Sequence, residues 1–173
     1  MMRMTFHAAL MTVMLTAAAA GGAASVGAVP GDAAAQSLPP ADDASAKVRL
    51  AESSRHGEYV DIAVPGRATP LRAFVVYPEI ATKAAVVVVA HEKSGLTDWI
   101  RGVTDQLAAD GFIAIAPDLA AGAAPNDADL QAVQAYGAKL PASTGKATTL
   151  LLQGPPRVEN WAGTVAGLRK QTQ

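Results

Sequence analysis

The residues able to do chemistry cluster behind three apolar runs. His91-Glu92-Lys93-Ser94-Gly95 follows a valine run, Pro117-Asp118-Leu119 follows a second run, and Gln153-Gly154 follows a third. Imidazole, carboxylate and ammonium groups at such places suit acid-base work or stabilisation of a developing anion. Several specific motifs fail on inspection. His91-Glu92 would open a zinc H-E-x-x-H helix only with histidine at position 95, where Gly95 stands, so no metal site is expected. Gly145-Lys146 resembles the end of a phosphate loop, but Leu140 occupies the place of its first glycine. Ser94 beside Lys93 is a poor nucleophile and base pair, because adjacent loop side chains rarely face each other. His91 reads most simply as a loop histidine bonded to a backbone carbonyl, and Asp118 as a residue that caps or braces its loop. Trp99 and Ile100 read as helix anchors.

The elements that hold these residues follow from periodicity. Glu58 to Val64 alternates with the strand period and stops at Pro65-Gly66, and Leu71 to Tyr77 ends at Pro78, so the two predict an antiparallel hairpin. Ala84 to Ala90 holds four successive valines without alternation, as a parallel strand covered on both faces requires. Thr97 or Asp98 caps a helix reaching Asp110, with Ile100, Val103 and Leu107 at helical spacing and Gly111 as its left-handed stop. Phe112 to Ala116 is a second buried strand. Asn126 caps a further helix, with Asp129 at its third position and Leu130, Val133 and Leu140 inward, and Pro141 ends it. Ala147 to Leu152 predicts a last strand, broken by Gly154-Pro155-Pro156. Strands alternating with helices indicate a doubly wound, mostly parallel sheet, whose sites lie beyond the carboxyl ends of the strands.

Four longer pieces carry a family resemblance: R-H-G-E-Y-V from Arg55, V-V-Y-P-E from Val75, V-V-V-A-H-E-x-x-G-L-T-D-W-I-R from Val87, and A-A-D-G-F-I-A-I-A-P-D-L from Ala108. Together, from about Ser54 to Lys146, the chain resembles the dienelactone hydrolase family of α/β-hydrolases. The resemblance implies hydrolysis of lactones or small carboxylic esters without a cofactor. It also implies a cysteine nucleophile in a G-x-C-x-G elbow after the fifth strand, served by a later aspartate and histidine. Carried over by position, Glu92 is the nucleophile's partner and the main chain of Lys93 is an oxyanion donor. His91 matches a family position other than the catalytic histidine.

The nucleophile side of that machinery is missing from the text. The run L-L-L-Q-G-P-P stands where the elbow belongs, the chain has no cysteine, and no histidine follows His91. Ser143 precedes the fifth strand and so falls at the wrong end of the sheet, and Ala120-Ala121-Gly122 offers no arginine for a substrate carboxylate. The fold expected is therefore a partial α/β-hydrolase fold with an N-terminal antiparallel hairpin, lacking the C-terminal strands. The function expected is that of a truncated, inactive form whose frame or gene ends early, a change of reading frame near Ala147 being one explanation and natural truncation the other. Its unpaired A-T-T-L-L-L edge should invite aggregation. The alternative is a non-catalytic exported module that binds a small ligand around Glu92 and Lys93.

Composition bounds the rest. With 14 basic against 15 acidic side chains and a net charge of −1, the chain lacks the basic excess that a nucleic-acid partner requires. Arg3 and His7 precede an apolar run from Ala8 to Ala20 and then small residues, the order of a secretory signal peptide. That run falls short of the roughly 20 residues a spanning helix needs. Cleavage after Ala35, ahead of the weaker sites Ala20 and Ala28, leaves an exported protein, periplasmic or secreted, without a stable membrane anchor. The resulting organisation is a signal peptide at 1–35, a flexible linker at 36–53, the hydrolase-like part at 54–152 and an atypical tail at 153–173.

Overall fold

A computed structural model describes residues 37–91, 95–119, 126–152 and 160–173. The proposed signal peptide lies outside them. Among the described residues, no helix is long and apolar enough to cross a membrane.

The hairpin forms as its alternation requires. Strand β1 (Gly57–Ile62) pairs antiparallel with β2 (Leu71–Val76), from Gly57 opposite Val76 to Ile62 opposite Leu71. The valine run becomes β3 (Ala84–His91), and its residues from Val86 to Val89 are fully buried, the state their unbroken apolarity demands. Helix α2 (Asp98–Ala109) starts at the Thr97 cap, whose hydroxyl accepts from the Ile100 amide, and stops before Gly111 at φ 91°. Strand β4 (Ile113–Pro117) is buried throughout. Helix α3 (Asp127–Ala138) is capped by Asn126, whose side chain accepts from the Asp129 amide at 2.8 Å and donates to its carboxylate at 2.7 Å. Strand β5 spans Ser143–Leu152, beginning four residues before the expected Ala147. A bulge between Ala84 and Val86 lets the main chain near Ser143 join β3 although its side-chain pattern does not alternate.

The strand order is β1-β2-β4-β3-β5. Strands β4, β3 and β5 are mutually parallel, and β2 joins β4 antiparallel, with Ala73 opposite Pro117. The sheet buries two faces. Val86, Val88, Ile113 and Ile115 pack with Val133 of α3, while Val87, Val89 and Ala114 pack with Ile100, Val103 and Leu107 of α2.

The expected flexible linker and the atypical tail each contain a helix. Part of the proposed linker forms α1 (Asp43–Glu52), with the Asp42 carboxylate accepting from the Ser45 amide at 2.9 Å. Pro39-Pro40 reads as linker text, yet Pro40 is buried and Ala46 is fully buried against Gly102 of α2. Arg55 and Ser53 then converge on Asp105 of α2: the guanidinium donates from Nε at 3.0 Å, and the Ser53 hydroxyl at 2.6 Å. The end of the atypical tail forms α4 (Trp161–Gln171). Trp161, Val165 and Leu168 recur at the helical spacing and complete the α2-side core beside Leu150 and Leu152, an apolar face that Gly163 and Gly167 obscure in the sequence.

Two glycines test this packing in opposite directions. A Cβ on Gly137 of α3 would lie 2.6 Å from Val86 Cγ1 and 2.8 Å from Ile115 Cδ1, whereas one on Gly102 would meet only Ala46 at 3.6 Å. Gly137→Ala is therefore expected to destabilise by about 1–2 kcal/mol, overpacking outweighing the gain in helix propensity. Gly102→Ala should stabilise by up to about 1 kcal/mol. Urea midpoints moving the same way in both variants would contradict this arrangement.

Candidate active site

The carboxyl ends of the three parallel strands meet at one end of the sheet. His91 closes β3 opposite Leu152, the last residue of β5, while Pro117 closes β4. The ends of β3 and β5 thus lie side by side. Gly95, at φ 71°, leads into the Thr97 cap of α2. Glu92 and Lys93, the two positions carried over as nucleophile partner and oxyanion donor, lie outside the described residues. Ser94 and Ala120-Ala121-Gly122 also lie outside them, as does Gln153-Gly154.

His91 is placed. Its side chain is 2% exposed, and Nε2 donates to the Pro117 carbonyl at 3.2 Å, tying the ends of β3 and β4 together. This is the backbone-bonded loop histidine expected from the sequence. Nδ1 is buried and finds no hydrogen-bond partner among the described residues. Burial pushes the imidazole pKa below its ordinary 6.5, against the opposing pull of the Pro117 carbonyl and the Asp118 charge. His91 is therefore a neutral positioning group. The unfolded chain takes up a proton below about pH 6.5 that the folded chain refuses, so the contribution of His91 to stability is lost as pH falls below that value. The urea midpoint of the wild type should fall between pH 7.5 and 5 by more than that of His91→Asn; equal falls would show that His91 does not titrate in this way.

Asp118 is exposed and acts through its main chain, its amide donating to the Arg72 carbonyl at 2.7 Å. It braces β4 against β2, as expected for a loop-bracing residue. Leu119, 3% exposed, turns back so that its amide also reaches the Pro117 carbonyl, at 3.0 Å. Trp99 and Ile100 anchor α2 in the core. Ser143 is buried at the start of β5, the end of the sheet away from His91.

One support of this end was not foreseen. Arg67, in the connection from β1 to β2, donates to the Asp129 carboxylate at 2.8 Å, and Asp129 is buried at the first turn of α3. Local spacing shows Asp129 as a capping partner of Asn126. The distant Arg67 is 62 residues away and leaves no periodic trace. Among the described residues, no group of three or more histidines, cysteines and carboxylates is arranged to hold a metal ion.

A mixed sheet of this order, flanked by α2 and α4 on one face and α3 on the other, with its candidate groups at the parallel strand ends, is an α/β-hydrolase-like arrangement. Residues 71–152 match the model of the dienelactone hydrolase family. The chain is also similar to the hydrolase fragment YghX of Escherichia coli K12, 37% identical over 62 residues that make up 35% of this chain and 53% of that protein. Among solved structures, a Klebsiella pneumoniae protein carrying the name dienelactone hydrolase superposes with a TM-score of 0.49 at 20% identity, covering 58% of this chain and 50% of that one. An esterase from Pyrobaculum calidifontis gives a TM-score of 0.49 at 18% identity, covering 75% of this chain and 46% of that one. The chain thus spans about half the length of the relatives it matches.

Proposed function

We propose that the chain is an exported, non-hydrolytic portion of a dienelactone hydrolase-like domain, whose completed form hydrolyses small carboxylic esters or lactones without a cofactor. In that form Glu92 partners the nucleophile and the Lys93 amide serves the oxyanion. Both follow His91, which bonds the Pro117 carbonyl at the end of β4 and lies opposite Leu152 at the end of β5. A backbone donor fixed at a strand end needs no reorganisation when the oxyanion forms.

The observation that carries this reading is where the family text ends. The match and the β3–β5 pairing both reach Leu152, and the next residues are Gln153-Gly154-Pro155-Pro156 in place of an elbow. This moves the expected change of frame from near Ala147 to beyond Leu152. Translating the coding DNA downstream of codon 152 in the other two frames tests it. The expected result is G-x-[CS]-x-G followed by a late Asp and His; their absence from both frames would overturn the frame change.

A non-catalytic exported ligand-binding module is the competing reading. It is favoured by α4, which seals the α2-side core beside β5 and so supports a folded product without catalysis. Under that reading a small ester binds near Glu92 and Lys93 and is recovered unchanged. Export rests on Arg3, His7 and the apolar run Ala8 to Ala20, and is tested by the N-terminal residue of the protein recovered outside the cytoplasm.

A further inference from the structure

Asp110-Gly111 is the one Asp-Gly or Asn-Gly pair in the sequence. A glycine after an aspartate leaves the amide nitrogen between them unshielded by a Cβ, so in a free chain that nitrogen attacks the side-chain carboxyl carbon. The attack expels water and closes a five-membered imide. Water then opens the imide at either carbonyl. Opening at the side-chain carbonyl restores aspartate. Opening at the main-chain carbonyl routes the backbone through the side chain and gives isoaspartate of the same mass.

The fold opposes the first step at each reacting group. Asp110 ends α2 at ψ 4°, where the Gly111 nitrogen eclipses the nitrogen of Asp110 and stands about a third of a turn from Cβ, whereas ring closure needs it nearly eclipsed with Cβ. The Gly111 N–H donates to the Ala108 carbonyl at 3.0 Å, and the Asp110 carbonyl, on the same peptide, accepts from Arg169 Nη2 at 3.1 Å. The carboxylate accepts from the Ser37 hydroxyl at 2.5 Å on one oxygen and from Trp161 Nε1 at 2.9 Å on the other. Helix α4 thus holds both reactants, the acid through Trp161 and the peptide through Arg169.

We propose that Asp110-Gly111 is a latent isomerisation site that the docking of α4 holds shut, so that isoaspartate accumulates in molecules from which α4 has lifted away. The change is one-way in its effect. The added main-chain carbon falls between α2 and β4, where Gly111 at φ 91° turns the chain and the buried Phe112 donates its amide to the Leu107 carbonyl at 3.1 Å. An isoaspartyl linkage displaces that turn and the carboxylate together, so the bonds to Trp161 and Arg169 do not re-form. This inference stands on the α2–α4 contact, independently of the hydrolase reading.

The test incubates the full chain for weeks at neutral pH and 37 °C and reads the linkage at residue 110 by electron-transfer fragmentation, which separates the two isomers at equal mass. Folded wild type should form isoaspartate at least about tenfold more slowly than the chain held unfolded in urea, because only open molecules react. Trp161→Phe keeps the ring buried but removes its bond to the carboxylate, and should speed the folded rate by roughly 2–10-fold, the worth of one hydrogen bond. Gly137→Ala is the control. It disturbs the packing of α3 on Val86 and Ile115, on the other face of the sheet, and should leave the folded rate within about twofold of wild type. A folded wild type as fast as the unfolded chain would overturn the proposal, as would Trp161→Phe at the wild-type rate. Equal acceleration in Gly137→Ala and Trp161→Phe would overturn it too, since isomerisation would then follow global unfolding and not the release of α4.

Discussion

An aryl ester incubated with the 173-residue chain is expected to hydrolyse at the rate in buffer alone. The reason is composition together with geometry. Ester hydrolysis through a covalent intermediate needs a nucleophile and a base within hydrogen-bond reach, and removing either from a working triad costs on the order of 10⁶ in kcat. This chain has no cysteine, and its last histidine, His91, is occupied with the Pro117 carbonyl. The roles proposed for the Glu92 carboxylate and the Lys93 main chain are ones that stabilise charge and do not attack a carbonyl. Hydrolysis well above buffer that disappears in Glu92→Gln would show that an unrecognised nucleophile is at work.

Trp161→Ala is expected to be the most damaging single stability change in the tail. Trp161 is 3% exposed, packs in the core under β3 and β5, and donates from Nε1 to the Asp110 carboxylate at 2.9 Å. The same carboxylate accepts from Ser37 at 2.5 Å, and Arg169 reaches the Asp110 carbonyl at 3.1 Å. Asp110 therefore joins the segment before α1 to the helix that ends the chain. Truncating a buried tryptophan costs roughly 3–5 kcal/mol, which in a domain of this size lowers Tm by about 10–15 °C. Trp161→Phe keeps most of the area, loses one hydrogen bond and should cost about 1–2 kcal/mol. Thermal unfolding of the two variants measures this, and an unchanged Tm for Trp161→Ala would mean that α4 does not dock.

The parts of this architecture written in local periodicity were legible in advance. The unbroken valines of β3, the caps at Thr97 and Asn126 and the stop at Gly111 are signals within a few residues of what they control. Helices α1 and α4 were missed because their own text is ambiguous. Pro39-Pro40 and the glycines of the tail lower local helix propensity, and tertiary burial of Ala46, Trp161, Val165 and Leu168 decides the outcome. In the site, the strand-end position of His91 and its backbone role could be read, but its partner Pro117 comes from another strand. The Arg67–Asp129 and Arg55–Asp105 pairs join residues 62 and 50 positions apart, and such pairings exist only once the sheet has formed.

The proposal at stake is that the chain carries the oxyanion side of an ester hydrolase without its nucleophile. A fluorophosphonate, which phosphonylates activated serines with loss of fluoride, followed by intact mass, tests it most directly. The predicted result is an unmodified chain after prolonged incubation at neutral pH. A stoichiometric adduct, mapped to Ser94 or any other residue and lost on unfolding before exposure to the reagent, would contradict it.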